Sequence, residues 1–283
     1  MSTRAWVDGR LLDADEPVLL ANDHGITVGD GIFETCKILR GQVFALTRHL
    51  ERMRRSAAGL ALPEPDLDRV RAGVAELLAA DSPMAFGRLR ITMTGGPGPL
   101  GSERVAGAAT YVVQAAAQAP PPATSSAVTV PWVRNERSPV AGLKTTSYAE
   151  NVVALAYARE RGASEALLGN TRGELCEGTG SNVMVAVDGE LVTPPLTSGA
   201  LGGISRALLL EWAAQDGWPI REQTLPVSVL AQATEVLLTS SIRDVQPLHA
   251  IDSRSLRQPG QLGELGARAV ALFAARAAEG LDP

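Results

Sequence analysis

The stretch QAPPPATSS, residues 118–126, constrains this chain most. Proline lacks a backbone N–H and holds φ near −65°, so three in a row interrupt any helix or central strand. Small polar residues follow them. A chain of 283 residues is long enough for two ordinary domains, and the proline break marks where they part. We read 118–126 as a linker between a small N-terminal domain, 1–117, and a larger C-terminal one, 127–283.

Both sides of the break mix strands and helices. AWVDGRLL and IFETCKILRGQVFAL each place a turn between apolar runs, at Asp8-Gly9 and Arg40-Gly41, and so read as hairpins. TRHLERMRRSAAGL puts Leu50, Met53, Ala57 and Leu60 on one helical face, with Thr47 as the expected N-cap. DLDRVRAGVAELLAA reads as a second helix, and FGRLRITMTGG and ATYVVQAAA as strands. Beyond the linker, AVTVPWV, EALLGN and EVLLTSS read as strands and NVMVAVDGELVTPP as a hairpin. Helices are expected at YAENVVALAYARERGA, GGISRALLLEWAAQDG and GELGARAVALFAARAAEG. The whole is mixed α/β, rich in antiparallel hairpins.

Composition excludes some classes. The formal net charge is −5 and no basic block stands out, which argues against nucleic acid or anionic membrane as partner. Cys36 and Cys176 lie in no CxxC or Cys/His cluster and read as free thiols. His24, His49 and His249 show no metal-ligand spacing, so no metal is expected. The N-terminus lacks the apolar core of a signal peptide, and no apolar run reaches membrane-spanning length. A cytoplasmic protein is expected.

Five segments carry candidate chemistry. In AGLKTTSYAENVV, Lys144 stands among small, hydroxylated and apolar residues, and the next acidic residue downstream is Glu150. A poorly hydrated lysine is more readily neutral, and a neutral amine forms a Schiff base with a carbonyl; most lysines are merely solvated. LCEGTGSNVMV offers the carboxylate of Glu177, then glycines that permit close backbone approach. ALGGISRALLL opens a helix whose free N–H groups favour an anion, with Ser205 beside them. TSSIRDV ends an apolar strand in hydroxyls, with Arg243 as an anion-binding candidate. Arg52 in RHLERM flanks a buried helical face and can snorkel or reach inward to a phosphate. Each segment alone has an ordinary structural reading. Together they supply a Schiff-base lysine, an acid, hydroxyls, a helix N-terminus and an arginine, which is what pyridoxal 5′-phosphate requires.

The combined pattern resembles the class IV aminotransferase family, the fold-type IV pyridoxal-phosphate enzymes. DHGITVGDGIFET, HLERM, LKTTSYAENV, LCEGTGSNVMV, TPPLTSGALGGISR and EVLLTSSIRDVQP occur in family order. The resemblance implies a two-domain α/β fold of the D-amino acid aminotransferase type and a homodimer, with the cofactor held between the domains. It implies that Lys144 bonds the aldehyde and then moves a proton, and that Glu177 faces the ring nitrogen. Arg52, Gly203, Ile204, Ser205 and Ser241 would hold the phosphate, with Ser240, Ser181 and Asn182 nearby. Leu201 would pack on the ring, Tyr148 would meet its phenolic oxygen, and Phe33 would line the substrate side.

The segments VGDGIFET, RLRITMTGGPGPLGSER and LKTTSYAENVVALA look most like aminodeoxychorismate lyases of actinobacterial type, which release 4-aminobenzoate and pyruvate. That lyase activity is the expectation here. The alternatives are an aminotransferase for a branched-chain or D-amino acid and a non-catalytic cofactor binder. Where related enzymes carry an arginine this chain has Gly95, so the carboxylate of a small amine substrate is expected on Arg243, Arg90 or Arg104.

Overall fold

The computed structural model describes residues 4–80 and 83–283. Two compact units result. The first comprises the chain up to Pro120 together with Leu143–Tyr148 and Leu281–Pro283; the second comprises Pro121–Gly142 and Ala149–Gly280.

The first unit is built on six strands: β1 (Arg4–Val7), β2 (Arg10–Asp13), β3 (Gly31–Leu39), β4 (Gln42–Val43), β5 (Phe86–Thr94) and β6 (Thr110–Ala117). They form one antiparallel sheet in the order β2-β1-β6-β5-β3-β4. Asp8 and Gly9 both take positive φ, as do Arg40 and Gly41, which is what a two-residue turn between right-twisted strands demands. The helices are the short α1 (His24–Thr27), α2 (Leu46–Gly59) and α3 (Leu67–Ala79). Leu50, Met53 and Ala57 of α2 and Val70, Val74 and Leu77 of α3 join Ile32, Cys36, Ile38, Leu89, Ile91 and Val113 in one core.

Thr47 is not the N-cap of α2. The cap position is two residues earlier, at Ala45, which lies in the left-handed region and caps nothing with its side chain. The C-terminal segment does the capping. Asp282 accepts from the Thr47 N–H at 2.9 Å and from its hydroxyl at 2.5 Å, and the Leu281 carbonyl accepts from the Ala45 N–H. A cap supplied from 235 residues away leaves no local signal. Removal of such a cap typically costs about 1 kcal/mol. Asp282→Ala is therefore expected to lower the melting temperature by about 2 °C, read by calorimetry.

The second unit contains nine strands among the described residues: β7 (Ser125–Arg134), β8 (Glu165–Asn170), β9 (Leu175–Gly178), β10 (Asn182–Val187), β11 (Glu190–Thr193), β12 (Arg221–Glu222), β13 (Val236–Ser240), β14 (Asp244–Ile251) and β15 (Arg254–Ser255). Their order is β12-β11-β10-β13-β14-β7-β8-β9, with β15 on β14. The β14–β7, β7–β8 and β11–β12 pairs are parallel. Helix α4 (Ala149–Glu160) covers β7 and β8 through Ala154 and Ala158. Helices α5 (Ile204–Gln215) and α6 (Glu264–Glu279) meet edge-on through Trp212 and Phe273, with ring centroids 5.0 Å apart. NVMV and VLLT are buried at every position, the pattern of strands covered on both faces.

The linker is shorter than the sequence suggests. Ser125 and Ser126 already pair with Leu248 and Ala250 as the start of β7. Leu143–Tyr148 and Leu281–Pro283 also lie with the first unit and not with the 127–283 domain, because their backbone bonds go there. Among the described residues no helix is long and apolar enough to cross a membrane.

Both thiols are buried. Burial pushes Cys36 well above its ordinary value and pushes Cys176 up to about 12, helped by the charge of Glu177. Only the thiolate reacts readily. The native protein is expected to leave both cysteines unlabelled by a maleimide at neutral pH and to expose two on denaturation; fast native labelling would contradict the packing around them.

Candidate active site

The first unit holds a lysine-centred cluster. Residues 143–148 run antiparallel beside β3: the Phe33 N–H donates to the Lys144 carbonyl at 3.0 Å, and the Thr146 N–H to that of Gly31 at 2.8 Å. From α2, Ser56 accepts the Lys144 N–H at 3.2 Å. The Thr146 and Ser147 hydroxyls both donate to the Gly29 carbonyl. The backbone of Lys144 is thereby fixed, and its side chain extends over Phe33 with Nζ 4.3 Å from the ring centroid. Tyr148 meets the same ring edge-on at 5.2 Å. The Arg90 guanidinium stacks on it too, with Cζ 3.3 Å from the centroid.

Arg90 is half-buried, and its Nε makes a long hydrogen bond to the Thr92 hydroxyl, at 3.4 Å. Burial lowers its pKa to about 10, with Arg88 adding to the shift and Tyr148 and Glu34 opposing it. It stays cationic at neutral pH.

The opposite face of β3 carries Glu34, 0% exposed. Arg52 donates to it twice, Nε to Oε1 at 2.9 Å and Nη2 to Oε2 at 2.6 Å, and His49 donates from Nδ1 at 2.6 Å. Burial would raise the carboxyl, but the Arg52 charge and the hydrogen bonds of both partners outweigh it and hold Glu34 well below the usual carboxylate range. Burial dominates at His49 and lowers it, so the imidazole is neutral at neutral pH. An ionised Glu34 can only accept, which assigns the proton to Nδ1.

The second unit holds a carboxylate-centred cluster. Glu177 Oε2 accepts the Leu201 N–H at 3.0 Å, and Oε1 lies 3.4 Å from Nε of Arg134. Arg134 also donates to Asn151, which donates to the Thr179 carbonyl. Asn182 donates to the Leu201 carbonyl at 2.7 Å. Gly203 is the N-cap of α5 with no side-chain cap, and no acidic residue stands in the first turn, where Ile204 and Ser205 lie. A Cβ at Gly203 would come within 1.9 Å of Asn182 Oδ1, so a larger residue would have to displace the Asn182 side chain that bonds Leu201.

The other candidates are placed differently. Ser181 donates its hydroxyl to Glu165, which also takes the Thr179 N–H and hydroxyl. Ser240 accepts the Arg243 N–H, and Ser241 lies next to it, half-buried. The Arg243 guanidinium bonds to Gln246, Ser125 and the Ser164 carbonyl and lies 3.7 Å from Glu165. Arg104 is bidentate to Asp30 and bonded to the Leu60 and Ala61 carbonyls.

Sequence reasoning missed Glu34, His49, Ser56 and Arg134. A signal for Glu34 existed: it occupies the apolar parity of β3, between Ile32 and Cys36. None existed for Arg134. A further signal went unread. The chain has two lysines, Lys37 and Lys144, and Lys37 is 4% exposed with Nζ 4.6 Å above the Phe44 ring.

The residues fit a phosphorylated aldehyde cofactor. The first unit by itself offers an amine over an aromatic ring, and the second by itself offers a carboxylate held by a backbone N–H and an arginine and a glycine-capped helix of 12 residues, whose first-turn N–H groups suit phosphate.

Comparison with known proteins agrees. A family model described as amino-transferase class IV matches residues 31–251. The chain is 31% identical over 270 residues to the bifunctional aminodeoxychorismate lyase / D-amino acid transaminase of Mycobacterium tuberculosis, covering 88% of this chain and 91% of that one. A branched-chain aminotransferase from Thermoproteus uzoniensis, solved with norvaline, is similar at a TM-score of 0.88 and 28% identity, covering 97% and 94% of the two chains. A hypothetical aminotransferase from Mycobacterium tuberculosis in its PLP-bound form is similar at 0.83 and 29%, covering 96% and 98%.

Proposed function

Because the chain belongs to the class IV aminotransferase family, whose members depend on pyridoxal 5′-phosphate, we propose that it is an aminotransferase whose amino substrate carries one carboxylate, received by Arg90. One observation carries this reading: a half-buried guanidinium with no carboxylate partner among the described residues rests on the ring that Lys144 also contacts. A guanidinium stacked on that ring favours an anionic substrate. Of the three candidate arginines, Arg104 and Arg243 bond to polar side chains while Arg90 rests on Phe33, which supports Arg90 as the carboxylate receiver.

When bound, the cofactor supplies an aldehyde that condenses with amines and a ring that accepts electrons. Lys144 offers its amine to the aldehyde and afterwards moves a proton at Nζ. Glu177 would hold a proton on the ring nitrogen, and Arg134 beside it favours the ionised carboxylate that this needs. The α5 N-terminus at Gly203, Ile204 and Ser205 would receive the phosphate, with Arg52 and Ser241. Leu201 and Tyr148 would bound the ring, and Phe33 would line the substrate side. A homodimer remains part of this proposal, checked by light scattering.

The test is conversion of the bound cofactor to its amine form, read by absorbance, on adding D-alanine or L-leucine without an oxo acid. Conversion by either supports the reading and sorts the two amino acid classes. The lyase is the second reading, favoured by the bifunctional relative. Its substrate carries two carboxylates. Release of 4-aminobenzoate and pyruvate from aminodeoxychorismate, with neither amino acid converting the cofactor, would overturn the aminotransferase proposal.

A further inference from the structure

We propose that Glu34 is a positioning residue: buried on the apolar face of β3, it holds the Arg52 guanidinium in one plane so that the arginine can receive the cofactor's phosphate. This rests on the reading of Arg52 as a phosphate anchor. Strand β3 alternates Ile32, Glu34, Cys36 and Ile38 toward α2, and three of those four are core residues. The fourth is an ionised carboxylate. Among the described residues its carboxylate is met from α2, twice by Arg52 and once by His49, three positions apart and so on one helical face.

Stability alone does not account for this arrangement. A buried ion pair recovers little more than its desolvation cost, and apolar replacements of similar volume are often as stable. Ile32, Leu50 and Met53 around the pair form the setting in which such replacements pack. What the pair adds is geometry. Arginine is a long, rotamer-rich side chain, and a carboxylate that takes both Nε and Nη2 pins the plane of the whole guanidinium. The third hydrogen bond, from neutral His49, fixes the carboxylate itself. The ordering cost is thus met in the folded protein before any anion arrives, the condition under which a charged donor binds best.

The experiment measures cofactor release from the holoenzyme on dilution, by absorbance, in wild type, R52K, E34Q and the double variant, with thermal unfolding alongside. E34Q is expected to speed release about tenfold, the scale on which supporting partners act through the group they orient. In the R52K background, whose ammonium has no plane to fix, E34Q should add little. Wild-type release from E34Q, or losses that add in the double variant, would overturn the proposal. If E34Q does not fold, E34D decides. Aspartate keeps the charge but is shorter by one methylene, so it cannot span both nitrogens of Arg52 and the histidine. Faster release from E34D supports the proposal, and wild-type release overturns it. Wild-type release from R52K would instead remove the phosphate role of Arg52, a separate failure that takes this inference with it.

Discussion

Lys144→Ala is expected to abolish covalent attachment of the cofactor and to lower turnover by about 10³-fold or more, because one side chain serves as both nucleophile and proton carrier. Borohydride should fix one cofactor on the peptide containing Lys144 in the wild-type protein and on no peptide in the variant. The readout is unusually clean here, since the chain offers a single other lysine, Lys37, packed over Phe44 on β3. The variant should still bind cofactor non-covalently, because the proposed phosphate and ring contacts come from other residues. Attachment that persisted at Lys37 would sink the assignment. Loss of all binding together with a lower melting temperature would mean that the substitution had disturbed the segment beside β3.

Arg90→Leu is expected to raise KM for the amino acid substrate about 50-fold, with kcat changed far less. A charge-assisted hydrogen bond contributes about 1.5–3 kcal/mol, and each 1.4 kcal/mol is about tenfold. The carboxylate is held equally before and during the chemistry, so its loss falls on KM. Arg90→Lys should recover part of the effect, since the charge returns without the bidentate fork. A primary amine lacking a carboxylate gives the control. Its KM should not rise in Arg90→Leu, and removing an unmatched charge can even lower it. Equal losses with both substrates would mean that Arg90 shapes the Phe33 side chain and does not read the carboxylate.

Much of the fold was legible because it is written locally. Asp8-Gly9 and Arg40-Gly41 mark hairpins through the one backbone region that glycine and a few polar residues tolerate. The α2 face follows from spacing alone, and so does the N-terminus of α5 at Gly203. The limits of α2 were not local: Asp282 caps a helix that begins at residue 46. Nor was the placement of Leu143–Tyr148, which sits in sequence inside the second unit and in space beside β3.

The site divides along the same line. Residue type and order nominated Lys144, Glu177 and Gly203 only in combination, because an amine among small residues, an acid before glycines and a glycine opening a helix each have an ordinary structural reading alone. The arginines were a different matter. Arg52, Arg90, Arg104 and Arg243 are chemically equal in the sequence, and each has five donors on a long, mobile stem. What separates them is who reaches them: Asp30 for Arg104 across 74 residues, Ser125 for Arg243 across 118, Glu34 for Arg52, and for Arg90 an aromatic ring in place of a carboxylate. Strand register and helix packing decide those partners. The sequence by itself determined the inventory of reactive groups, and the tertiary structure decided which partner each arginine meets, because those partners lie far away along the chain.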